Sequence, residues 1–158
     1  MTGHPVLTER LARLVRDEHT QLAGFVELLK QEEALLVENS IDPLLTLAGE
    51  KTERYRGLQR LSDERIVLFA RMGIPVSGEA IRATLAPDPA ALAEWEAVVD
   101  LAREAHARNA LNGKLITERL QNNQQALSTL LLAAEQPQIY GPDGQARPTG
   151  GSRHLGSV

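Results

Sequence analysis

The stretch PAALAEWEAVVDLAREAHARNALNGKLITERLQNNQQALSTLLLAAE, residues 89–135, decides the fold. Within it Leu92, Trp95, Val99, Ala102, His106, Asn109, Gly113, Ile116, Leu120, Asn123, Leu127, Leu130 and Ala134 follow one another at alternating steps of three and four. That is a heptad seam, one helical face turned toward a partner, sustained for about six repeats. At about 1.5 Å rise per residue an unbroken helix of this length runs about 65–70 Å. The middle of the seam is polar: His106, Asn109, Gly113 and later Asn123 occupy positions where polar groups cost stability and commonly set register or partner choice. The C-terminal part is apolar on more than one face, with Leu115, Leu131 and Leu132 beside the seam. Such a surface packs on neighbouring helices, on a second copy of the chain, or on a bound partner helix.

Two more long segments precede this one. Leu7, Leu11, Leu14, Leu22, Phe25, Leu29 and Leu36 recur at helical spacing with Glu18 interrupting, which predicts a helix over about 6–38. Leu44, Leu47, Leu58, Leu61, Leu68 and Met72 form a looser series, with Lys51, Arg54 and Arg65 on nearby positions, and predict a helix over about 43–72. Asp42-Pro43 reads as a helix start, Asp as N-cap and Pro at the first helical position, and Asp88-Pro89 repeats the signal. A short helix at about 77–86 bridges the second and third long segments. The expected fold is all-α: an elongated antiparallel bundle of three long helices plus the bridge over 1–135, with 136–158 as a flexible tail. The tail expectation comes from composition, since 136–158 holds five of the 12 glycines and three of the eight prolines and cannot offset its ordering entropy by burial.

The remaining composition agrees. A chain of 158 residues suits one domain, and an aromatic content of only 3% points to a core of Leu, Ile, Val and Ala between helices. With no cysteine there is no disulfide framework, thiolate metal site or cysteine nucleophile. The longest apolar runs are four or five residues, so no membrane insertion is expected. The first residues, Met1-Thr-Gly-His-Pro, lack the charged-then-apolar pattern of a secretory signal, and the protein is expected in the cytoplasm. A net charge of −4 without a basic cluster argues against nucleic-acid binding.

Catalytic chemistry finds no foothold, so no enzyme activity, metal or cofactor is expected. His19 and His106 each follow an arginine three residues earlier rather than the glutamate of a di-iron helix motif. Asp17-Glu18-His19 cannot converge on one ion, because consecutive helical residues point about 100° apart. His19 reads as an ordinary surface or seam residue, and His106 with Asn109 as a polar seam pair. Glu32, Glu33, Glu94, Glu96, Glu104 and Glu118, scattered among Arg and Lys, read as solvated helix faces.

The tail carries one aromatic residue, in Ile139-Tyr140-Gly141-Pro142-Asp143-Gly144-Gln145. Two readings stand. Tyr140 folds back onto the bundle as a plug, or a flexible segment presents it as a tyrosine anchor with the Pro-Asp-Gly turn setting its geometry. The second is preferred here.

The order and spacing of Asn109-Ala-Leu-Asn112-Gly113-Lys-Leu115-Ile116, Asn122-Asn123-Gln124-Gln125-Ala126-Leu127 and Tyr140-Gly141-Pro-Asp143-Gly144-Gln145 resemble the FlgN family of flagellar export chaperones. The closing Ser152-Arg153-His154-Leu155-Gly156-Ser157 is similar to tails of that family. The resemblance implies a chaperone of type III secretion that binds C-terminal helical segments of hook–filament junction proteins, of FlgK and FlgL types. It would prevent their premature assembly and deliver them to the export gate. It implies client binding by the C-terminal region, for which the residues are Asn109, Asn112, Gly113, Ile116, Leu120, Asn123, Gln124, Leu127, Leu130 and Leu131. It also implies that Tyr140, with Gly141, Asp143 and Gly144, docks on the cytoplasmic domain of a gate protein of FlhA type. The alternative is a structural coiled-coil or adaptor protein that self-associates through the same seam. Oligomeric state stays open between the two.

Overall fold

The computed structural model describes residues 5–119, 124–135 and Tyr140, with side chains in the last helix described from Thr129 onward. Five helices follow in order: α1 (Pro5–Glu38), α2 (Ile41–Arg71), α3 (Gly78–Leu85), α4 (Pro89–Arg119) and α5 (Gln124–Ala134). Among the described residues every regular element is helical, as the periodicity requires. None of these helices is long and apolar enough to cross a membrane.

The ends of the helices follow from local chemistry. After α1, Asn39 takes φ 59°, a left-handed position that asparagine tolerates, and Ser40 N–H donates to the Leu35 carbonyl at 3.0 Å. The chain reverses there, and α2 returns antiparallel to α1. Asp42 is not the N-cap. That position belongs to Ser40, whose side chain makes no capping bond, and Asp42 lies in the first turn where its charge complements the helix dipole. Gly73, at φ +67°, ends α2 in the same left-handed way. Ser77 caps α3 by accepting from Ala80 N–H at 3.0 Å, and Asp88 caps α4 by accepting from Ala91 N–H at 3.2 Å.

Helix α4 runs parallel to α1: Glu94 faces His19, Asn112 faces Leu29, and Arg119 reaches the Val37 carbonyl. The α4 face turned to the core carries Trp95, Val98, Val99, Ala102, Ala105, Asn112 and Ile116. Past Ala102 the buried line runs through Ala105 and Asn112 rather than His106 and Gly113, since a 3.6-residue helix drifts from a strict seven-residue repeat.

The third long segment is not one helix. Helix α4 stops at Arg119, α5 begins at Gln124, and the chain doubles back so that Asn109 Nδ2 donates to the Ala134 carbonyl at 3.3 Å. In a continuous helix those residues would stand about 37 Å apart. The sequence between the two helices includes Asn122 and Asn123, whose side chains compete for backbone hydrogen bonds and disfavour helix. Helix α5 packs on both α2 and α4, which themselves nowhere approach within 8 Å by Cα. It therefore fills the groove between them at the end where Leu36, Leu44, Ala48, Ile116 and Leu130 form a small apolar cluster.

Candidate functional site

The interior of the bundle holds two charged rungs between α1 and α2. Glu18 pairs with Arg65 and Glu32 with Lys51, and all four side chains are buried. The members of each helix are two heptads apart, so in an antiparallel pair both rungs belong to one register. Each rung has a third partner. At the upper one, Lys51 Nζ lies 3.2 Å from Glu32 Oε1, and Asn112 of α4 donates from Nδ2 to that same oxygen at 2.8 Å. Asn112 also donates to the Leu29 carbonyl at 2.9 Å. Burial lowers the Lys51 pKa, and the neighbouring Glu32 opposes the shift. Glu32, read from sequence as a solvated residue, is thus corrected to a core residue. Nothing local in the sequence marks it, since Glu33 adjoins Glu32, and Glu50, Glu53 and Arg54 surround its partner Lys51.

The lower rung is completed by the tail. Glu18 accepts from Arg65 Nη1 on one oxygen and from the Tyr140 hydroxyl on the other. The guanidinium lies over the Trp95 ring, 5.2 Å from its centroid, with Ser62 Oγ 3.5 Å from Nη2. Tyr140 is only 7% exposed and belongs to the main apolar core with Trp95, Phe69 and Leu22. Burial, reinforced by the Glu18 charge and opposed by Arg65, pushes its phenol pKa well above the ordinary value. The plug reading, not the presented anchor, describes Tyr140 here. Gly141, Asp143 and Gly144 lie outside the described residues, as does the rest of 136–158.

The residues expected to bind a partner helix are largely engaged within the chain. Ile116 and Leu130 are buried in the small cluster, with Leu131 packed against it. Asn109 and Gly113 face α5, where a Cβ added to Gly113 would sit 3.9 Å from Ala134 Cβ. Leu120 and Asn123, and the side chains of Gln124 and Leu127, lie outside the described residues. Among the described residues, Leu111, Leu132 (71% exposed) and Val37 are large apolar side chains left exposed.

Two of the four histidines, His19 and His106, lie within the described residues. His19 Nδ1 lies 3.5 Å from Glu94 Oε2 on the half-exposed flank, and His106 is partly buried on α4. Among the described residues no three His, Asp or Glu side chains gather as a metal site.

The chain matches the family described as FlgN protein over residues 1–148. It is 25% identical over 144 residues to the flagella synthesis protein FlgN of Yersinia enterocolitica, covering 90% of this chain and 92% of that one. The same values hold for the flagella synthesis protein FlgN of Yersinia enterocolitica serotype O:8 / biotype 1B. No solved structure matches. With the match extending through both charged rungs, α5 and Tyr140, this chain belongs to the FlgN family.

Proposed function

We propose that the protein is a cytoplasmic export chaperone of flagellar type III secretion. Its clients are C-terminal helical segments of hook–filament junction proteins of FlgK and FlgL types, which it shields from early assembly and delivers to an export gate of FlhA type. The observation that carries this reading is the family match over residues 1–148. The architecture suits it: an amphipathic helix is held by an apolar groove between helices, and binding of this kind needs no catalytic group. Client contact runs along about 113–134, with Asn109, Asn112, Gly113 and Asn123 setting register. Tyr140, Gly141, Asp143 and Gly144 serve the gate. Because Ile116 and Leu130 face inward, a client helix that uses them takes over contacts that α5 and α4 make with each other and with α2.

The test is a pull-down of the full chain with the C-terminal helical segment of a hook–filament junction protein, with the complex sized in solution. A stoichiometric complex is the expected result. Stable self-association without client binding would establish the structural coiled-coil alternative instead. Two variants separate the roles: Tyr140→Ala retains the client and weakens gate docking, whereas Leu127→Asp, checked for retained helix content, does the reverse. Equal loss of client binding in both folded variants would refute this division.

A further inference from the structure

The groove between α2 and α4 contains, below α5, a site with a definite chemistry. Its floor is α1, which contributes the carboxylate of Glu18. One wall is α2, which contributes the Arg65 guanidinium. The other is α4, whose Trp95 ring lies beneath that guanidinium. Glu18 and Arg65 are each 1% exposed or less, and Trp95 is fully buried. A carboxylate that accepts from a guanidinium on one oxygen has lone pairs left on the other, and a buried acceptor of this kind calls for a donor. An apolar side chain cannot supply one. A phenol can, with a flat apolar ring for the aromatic and aliphatic lining and a hydroxyl at its tip.

We propose that Glu18, Arg65 and Trp95 form a receptor for a phenol side chain, filled in cis by Tyr140, and that this occupancy holds the C-terminal segment against the bundle. The contact spans 122 residues of sequence, and it joins the segment after α5 to the middle of the molecule. Three elements therefore close on one ring: α1 through the carboxylate, α2 through the guanidinium and α4 through the indole. The site is selective because a ring without a hydroxyl leaves Glu18 one donor short in a setting that water does not reach. A seated Tyr140 is also out of reach of other proteins, so any partner that grips this side chain first draws it from the pocket. The receptor stands on its own geometry, independent of whether the chain carries junction-protein clients.

The sole tryptophan, Trp95, reports on the site without a label. In the full-length chain, Tyr140→Ala is expected to raise acrylamide quenching of Trp95 about twofold or more with helix content unchanged, and to speed amide exchange in α5. Millimolar p-cresol should restore both, and toluene at equal concentration should restore them less. Tyr140→Phe keeps the ring and removes the donor. It should lower the melting temperature while Trp95 stays shielded, and this variant decides the matter if the alanine variant does not fold. Unchanged quenching in a folded Tyr140→Ala protein would overturn the proposal. So would equal rescue by toluene, which would mark a plain apolar hole, or a Tyr140→Phe protein as stable as the parent.

Discussion

At the scale of single residues, the buried charges are where the molecule departs most from a simple apolar bundle. A buried ion pair gains little net stability over a well-packed apolar pair, but removing one partner strands the other. Lys51→Met leaves Glu32 with Asn112 as its remaining side-chain donor and should cost about 3–5 kcal/mol in urea unfolding. Adding Glu32→Met to that variant should recover most of the loss, because the stranded carboxylate is gone. If the double variant is no better than the single one, the rung stabilises the fold by more than mutual neutralisation. The sequence displayed Glu18 as an interruption of the first apolar series, and Lys51, Arg54 and Arg65 on positions near the second. It did not show who pairs with whom, and Glu32, flanked by Glu33 and other charges, was indistinguishable from a solvated residue. Pairing depends on the α1–α2 register, which is set by contacts between residues far apart in the chain.

At the scale of elements, the decisive feature is the hairpin of α4 and α5. Heptad spacing through 89–135 is compatible with one long helix or with two shorter ones that keep the same apolar face. Spacing alone does not choose between them. The choice falls to burial: the α2 and α4 backbones nowhere come within 8 Å by Cα, and α5 packs against both. Gly113 lies where α4 and α5 approach. An alanine there meets Ala134 at an ordinary contact distance of 3.9 Å. Gly113→Ala should therefore raise stability by up to about 1 kcal/mol through helix propensity. Gly113→Leu has no such room and should lower the melting temperature and loosen α5, with α1 and α2 retained by circular dichroism. If Leu is tolerated as well as Ala, α5 does not pack where the structure has it. The start of α4 was legible, since Asp88 acts within a turn of the residues that follow it, whereas the roles of Asn39 and Ser77 came from the structure. Two helix ends were misplaced: the N-cap of α2, which is Ser40 rather than Asp42 two residues on, and the end of α4 at Arg119, where the spacing continued the helix to 135.

At the scale of the whole molecule, both tyrosines link folding to alkaline pH. Burial pushes the Tyr55 phenol up to about 12, and Tyr140 is also held well above its ordinary value. In the unfolded chain both ionise near the usual value of about 10, so above that pH the unfolded state has released more protons. The stabilising contribution is complete below about 10 and is lost as pH rises toward 12. Lys51, with its pKa lowered, acts in the opposite sense, but only below 10.5, so the higher window isolates the tyrosines. The melting temperature should fall across about pH 10–12, with tyrosinate absorbance appearing together with unfolding rather than before it. Tyrosinate forming near pH 10 in a fully folded protein would contradict the burial of Tyr140 and the half-buried setting of Tyr55.

By itself, the sequence determined the helical class, most of the helix boundaries before 89, the start of α4 at Asp88-Pro89, and a core built of Leu, Val, Ile and Ala around a few aromatics. Those properties follow from periodicity and capping, which act between residues three or four apart. Only the tertiary structure decided that the last helical stretch turns back into the groove between α2 and α4. The same holds for the pairing of Glu18 with Arg65 and Glu32 with Lys51, and for the seat of Tyr140 in the core. Each of these is a contact between distant parts of the chain, chosen by which surfaces and buried charges would otherwise go uncovered.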